Sequence, residues 1–211
     1  MKTKFLTLMM LLLTIVAFAK TEAMSKVTNE QLETLENQYG DMYELPVGDK
    51  IAYLREPNMV DYKRAFSAMQ RGTDIDFGEA MLDALFVAGD EDIKKVDDYF
   101  MPARKILIDF FNYDDAEVTP LKDGKYKIDI GEHSCVVRKI TRDDLKLAEK
   151  KNPSGKPFVT QEKLFEIVCV EKDQAFNNRG DAKIRFPLFQ AIEELQNQKV
   201  AILKKRLPMP S

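Results

Sequence analysis

The feature that most limits how this chain can fold is an internal correspondence at an offset of 83 residues. "YELPVGDKIAYLRE" begins at Tyr43, and "YKIDIGEHSCVVRK" begins at Tyr126. Sliding the second half onto the first aligns 56 positions, Tyr43 to Asp98, with eleven identities. They are Tyr43/Tyr126, Gly48/Gly131, Arg55/Arg138, Asp61/Asp144, Lys63/Lys146, Ala65/Ala148, Gly72/Gly155, Glu79/Glu162, Val87/Val170, Asp90/Asp173 and Asp98/Asp181. Ordinary composition gives roughly three by chance. Apolar positions correspond as well: Met81/Leu164, Leu82/Phe165, Leu85/Val168 and Phe86/Cys169. Two extra residues in the second copy then align Pro102 with Pro187. The agreement is poorest where Phe66 and Met69 meet Glu149 and Asn152, and where Pro153 and Pro157 shorten the second copy.

Each copy reads as a β-hairpin followed by about three helices, an α+β unit. In the first copy two apolar, β-branched runs flank Gly48-Asp49, a turn in which glycine accepts positive φ. Pro46 marks an edge strand, because it has no N–H to give to a ladder. Met59, Tyr62, Phe66 and Met69 recur at helical spacing until Gly72. Asp76 with Glu79 reads as the start of a second helix, whose stripe is Phe77, Met81, Leu82, Leu85 and Phe86, with Gly89 as its stop. "GDEDIKKVDD" reads as a charged connector. A third helix begins near Pro102, where a missing N–H costs nothing in a first turn. Ahead of the first copy, Thr28 and Gln31 form a capping-box pair for a helix within 25–40 that Gly40 ends. The organisation expected is unit 1 over 41–115, a Pro- and Gly-containing linker over 116–125, and unit 2 over 126–207. A period near 80 is too long for a solenoid repeat. Units of this size sit near the limit for a lone core, which favours docked units or a partner.

The first residues follow another grammar. Lys2 and Lys4 precede an apolar run from about Phe5 to Phe18, and Ala17-Phe18-Ala19 suits signal-peptide cleavage. Residues 1–19 are therefore read as a signal peptide, with cleavage as late as 23. The run is short for a span of about 20 residues, so no stable membrane span is expected after cleavage. Export to the periplasm or outside the cell follows if Met1 is the start, and a cytoplasmic location if translation begins at Met24. With 32 basic and 35 acidic side chains, a net charge of −3 gives no electrostatic case for nucleic acid.

Catalytic signatures are missing from the sequence. There is no G-x-G-x-x-G, Walker A loop or G-x-S-x-G. The one histidine, His133, stands beside a hairpin turn. Asp74, Asp76 and Gly78 miss the spacing of a calcium loop. Neither a metal, a cofactor nor an enzymatic role is expected. The acidic clusters at 90–92, 97–98 and 114–115 read as solvated surface. Cys135 and Cys169 fall on apolar positions, where a thiol acts as a small hydrophobe, and export would permit a disulfide between them. Tyr53, Phe66, Phe86 and Phe110 are the candidate partner-binding residues, lining grooves between hairpin and helices; filling the core is the competing role for the same four.

Tyr53-Leu54-Arg55-Glu56-Pro57, followed after two helices by Gly89-Asp90-Glu91-Asp92-Ile93, resembles the tail-assembly-chaperone-like proteins of tailed bacteriophages. The likeness spans mainly 43–111. It implies a non-enzymatic protein that binds a tape-measure or tail-tube component during assembly. A signal peptide and two units depart from that pattern, and the other reading is an exported cell-envelope binding protein. Either way the expected partner is another protein.

Overall fold

The computed structural model describes residues 27–197; the expected signal peptide and the last part of the expected unit 2, 198–207, lie outside them. The fold is α+β, with two antiparallel sheets in two units that divide after Asn112.

Unit 1 opens with α1 (Asn29–Tyr39), capped by Thr28 with Gln31 reaching back, and stopped by Gly40. Strands β1 (Met42–Val47) and β2 (Lys50–Arg55) form a hairpin closed at Val47↔Lys50. Gly48 takes φ +63 in its turn. Helices α2 (Met59–Arg71) and α3 (Asp74–Leu85) follow, and then β3 (Phe86–Gly89) pairs with β2. A short α4 (Asp92–Lys95), α5 (Asp97–Ile106) and a 3-10 turn (Leu107–Phe111) complete the unit.

Unit 2 adds β4 (Glu117–Pro120) before its hairpin, β5 (Lys125–Ile130) and β6 (His133–Arg138). It continues with α6 (Arg142–Lys150), α7 (Val159–Val168), β7 (Cys169–Lys172), a 3-10 turn (Gln174–Asn177) and α8 (Ala182–Gln196). Its sheet order is β4-β5-β6-β7, against β1-β2-β3 in unit 1.

In the three strands they share, the two units pair alike at the 83-residue offset. Met42↔Arg55 becomes Lys125↔Arg138, and Leu54↔Phe86 becomes Val137↔Cys169. Even the register shift recurs, at Tyr53/Leu54 and at Val136/Val137. Buried residues match too: Leu45/Ile128, Ala52/Cys135, Leu54/Val137, Leu85/Val168 and Ile93/Phe176. Each hairpin is tied to its first helix by one device. Arg55 forks onto Asp61 with two bonds of 2.8 Å, and Arg138 onto Asp144 with two of 2.7 Å. Each aspartate also accepts the N–H of its helix cap, Asn58 or Thr141, at 2.9 Å. Bidentate, charge-assisted bonds of this kind fix orientation as well as energy.

That device has a pH signature. Arg138, with the Thr141 hydroxyl and N–H, holds the Asp144 carboxyl well below the usual carboxylate range. A depressed folded-state pKa gives stability that is complete above the unfolded pKa of about 3.9 and is lost as pH falls below it. Asp144→Asn should therefore lose about 2 kcal/mol at neutral pH. It should also show a flatter decline than the wild type on acidification below about pH 4. Urea denaturation across pH measures both; parallel acid limbs would rule out Asp144 as their source.

Several boundaries differ from the sequence-based expectation. Helix α3 ends at Leu85, and Phe86 turns extended to begin β3. The apolar stripe continued through Phe86 because a half-buried strand and a helix face share residue types. Thr73, not Asp76, caps α3, and Asp76 is the partner reaching back to it. Helix α5 starts at Asp97, so Pro102 lies inside it, as Pro187 does inside α8. Residues 117–120, placed in the linker, pair with β5 because Val118 finds Ile128 across the ladder. Asp90, read as solvated, is 7% exposed. Its N–H donates to the Ile51 carbonyl at 2.8 Å and its carboxylate accepts from the Ile51 N–H. Asp173 holds Ser134 in the same two ways.

Candidate functional site

Unit 1 carries an open groove of about 560 Å³, within the range of small-ligand and peptide pockets. Phe66 and Met69 come from α2, Phe77 from α3, and Ile108 and Phe111 from the 3-10 turn. Three rings form its floor: Phe66–Phe77 at 5.1 Å, Phe66–Phe111 at 5.9 Å and Phe77–Phe111 at 6.0 Å between centroids. Such offset, tilted contacts stabilise aromatic clusters beyond their buried area.

The floor is set by two local features. Gly78 brings α3 close to α5, since a Cβ there would stand 2.9 Å from Arg104 Cβ. The 3-10 turn is anchored by buried Leu107 and by Tyr62, whose hydroxyl donates to the Phe110 carbonyl at 2.8 Å. Tyr62 also packs against Phe111 at 4.8 Å. Phe111 therefore faces the groove on a fixed backbone. Ile108 is 68% exposed, a large apolar side chain left in water at the mouth.

Polar lining is confined to Asp74, Arg104 and Lys105; the lining holds no histidine, cysteine, serine or threonine. Arg104 donates to Asp74 at 2.8 Å, but its Nε is buried with no hydrogen-bond acceptor.

The four residues expected to share a partner site are not together. Phe66 lines the groove. Tyr53 is buried on β2, in the core role. Phe86 is half-buried at the start of β3, under the Lys94 ammonium at 4.3 Å from its centroid. Phe110 packs edge-on against Tyr43 at 4.9 Å. The groove is thus walled by helices and the 3-10 turn rather than by hairpin and helices. Ile108, Phe111 and Arg104 were not singled out; the run Leu107 to Phe111, apolar on four of five residues, was the available signal.

Both cysteines are free thiols. Register sets Cys169 opposite Val137 and Cys135 opposite Lys172, so they are not directly across the ladder. Burial pushes the Cys135 thiol up to about 12 and raises Cys169 as well. A thiol so shifted supplies almost no nucleophilic thiolate at neutral pH. His133 is exposed at the first position of β6. Among the described residues no three His, Cys, Asp or Glu side chains group as metal ligands, and no helix is long and apolar enough to cross a membrane.

The protein-family models, the curated proteins and the solved structures searched for likeness to this chain give no match.

Proposed function

We propose that this chain is a non-catalytic protein-binding module, built from two units of common ancestry, that holds a partner segment in the groove of unit 1. The observation that carries the reading is the groove's character: an aromatic floor and an exposed Ile108 at the mouth, with the polar lining limited to Asp74, Arg104 and Lys105 at its side. An apolar side chain of the partner would cover the three rings. The Arg104–Asp74 ion pair would border that side chain. Anchors of this type dominate binding energy at protein interfaces.

Common ancestry is supported by the shared register, the repeated bulge and the paired Arg–Asp forks. The groove itself is not repeated. Phe66, Met69 and Phe77 correspond to Glu149, Asn152 and Thr160 in unit 2, where Asn152 instead bonds to Thr160 and Lys156. One unit keeps the binding surface and the other has replaced it with a polar loop. The resemblance to tail-assembly chaperones narrows the partner to an assembling structural protein.

The test is selection of peptides from a displayed library against the full chain, followed by measurement with Ile108→Glu. Ile108 stands in water, so its replacement leaves the fold intact. Loss of affinity of about tenfold or more, roughly 1.4 kcal/mol, with an unchanged melting temperature, supports the groove. Failure to select any peptide, or indifference to the substitution, would sink it.

A further inference from the structure

The two sheets differ in one respect that their correspondence makes informative. β5 is flanked by β6 on one side and β4 on the other, whereas β1, its counterpart, has β2 as its only strand neighbour among the described residues. The opposite edges match, since β3 and β7 both end their sheets. Burial follows the difference. Tyr126, Lys127 and Asp129 are partly covered, while Tyr43, Glu44 and Pro46 at the same positions are exposed.

The polarity of the edge can be read from unit 2. Leu121 donates its N–H to the Lys125 carbonyl at 2.8 Å, so Lys125, and by alternation Lys127 and Asp129, face β4. At the same offset Met42, Glu44 and Pro46 face outward. Pro46 has no N–H, so the edge offers both backbone groups of Glu44 and of Met42, and the carbonyl of Pro46.

We propose that β1 takes up an extended segment of the partner protein as a fourth, antiparallel strand, in the place β4 fills in unit 2. This rests on the protein-binding reading and adds where the partner's backbone goes. The occupant's chemistry follows from what surrounds the edge. Val118 lies opposite Ile128, so a β-branched apolar residue should lie opposite Leu45. Glu44 is exposed, and Glu36 and Asp41 line a hollow with Met42 and Tyr43 at the start of the strand. The segment is therefore basic around its apolar residue. A second copy of β1 does not suit. Antiparallel pairing centred on Glu44 sets that carboxylate against itself, and like charges directly opposite destabilise a sheet. Pro46 and the acidic face also act as guards against edge-to-edge association.

The probe is a labelled synthetic peptide, Lys-Ala-Lys-Val-Lys-Pro-Leu-Lys, which is residues 115–122 with Asp115, Glu117 and Thr119 replaced by lysine; in the register of β4, position 119 lies opposite Glu44 and position 117 opposite Pro46. Anisotropy with the full chain should show saturable binding, tighter than for the unmodified acidic peptide. Glu44→Pro, which removes an outward N–H and no hairpin bond, should weaken it by about tenfold. Glu44→Lys should weaken it through charge alone. Ile108→Glu should leave it within about twofold. Amide shifts should map to Met42–Val47. No binding at about millimolar peptide, or equal binding to the Glu44→Pro and Glu44→Lys variants and the wild type, overturns the proposal. If Glu44→Pro fails to fold, Glu44→Lys and the shift map decide. Binding lost on Ile108→Glu but kept on Glu44→Lys would assign the peptide to the groove, overturning the edge and keeping the protein-binding reading.

Discussion

Replacing Arg185 by alanine should destabilise unit 2 by about 3 kcal/mol, one of the two largest effects expected of a single substitution here. Arg185 is 3% exposed, yet carries a full charge. Burial pushes its guanidinium pKa below the ordinary value, which measures the cost of holding it. The nearby carboxylates of Glu162, Glu166 and Asp181 offset part of that cost, and three contacts offset more. Nη2 donates to the Phe176 carbonyl at 2.8 Å, Nε donates to the Asn178 carbonyl at 3.3 Å, and the guanidinium lies 5.7 Å from the centroid of Phe165. Those carbonyls end the 3-10 turn Gln174–Asn177, where helical backbones run out of internal donors. Alanine would orphan both and leave a void. Methionine restores volume without donors, and lysine restores charge without the fork. The expected order of stability is Arg185, then Lys, then Met, then Ala. Hydrogen exchange at unit 2 amides should accelerate about a hundredfold in the alanine variant. Methionine equal to the wild type would show that the buried charge adds nothing net, as happens for some buried ions. Unit 1 shows an uncharged solution, with Phe100 at the corresponding position and 5% exposed.

The hairpins and the first helix of each unit were legible in the sequence because each rests on local chemistry. Gly48 and Gly131 announce turns, Thr28 with Gln31 announces a helix start, and Pro153 and Pro157 announce that α6 is short. Strands β3 and β7 were not legible. Their four residues follow a helix without a Gly or Pro between, and only pairing with β2 or β6 makes Phe86 and Cys169 extended. The same holds for β4, whose glutamate, valine, threonine and proline look like linker until β5 is beside them. Tertiary pairing overrides local preference in such short strands.

For the candidate site the sequence was informative about materials and silent about convergence. Phe66, Met69 and Phe77 were recognised as helix-face residues, but a face says nothing of which side chains stay uncovered. That depends on Gly78 drawing α5 close and on Tyr62 anchoring the Phe110 carbonyl 48 residues away. Tyr53 illustrates the reverse: an aromatic residue on a predicted hairpin, suited equally to core or surface, is buried because β3 pairs alongside β2. The comparison of the two units recovers part of what was hidden. Equivalent positions that differ in burial, such as Glu44 and Lys127, show where one unit lacks a covering strand.

Gly89→Ala should cost about 3 kcal/mol or more in unit 1. Gly89 has φ +115, a backbone angle that side-chain-bearing residues rarely adopt, and an added Cβ would overlap the Ile51 carbonyl oxygen and approach Ala52 Cα to 2.8 Å. Both are backbone atoms of β2, so no rotamer change relieves the clash. The strain reaches further than one residue, because Asp90 follows at once and grips Ile51 through both its N–H and its carboxylate. Displacing β3 would loosen that grip and expose the end of β2. Lys172 occupies the corresponding place in unit 2 opposite Cys135, with no positive φ, and Asp173 still grips Ser134. The same clasp can therefore be made from two backbone conformations. Lys172→Gly should cost only about 1 kcal/mol, through chain entropy. Calorimetry on the two variants separates the cases: a melting temperature for Gly89→Ala lower by roughly 10 °C or more, against a small change for Lys172→Gly, is the expected pair. Equal, small changes would mean that β3 relaxes into the conformation β7 already uses, and that the glycine's close approach to β2 is dispensable.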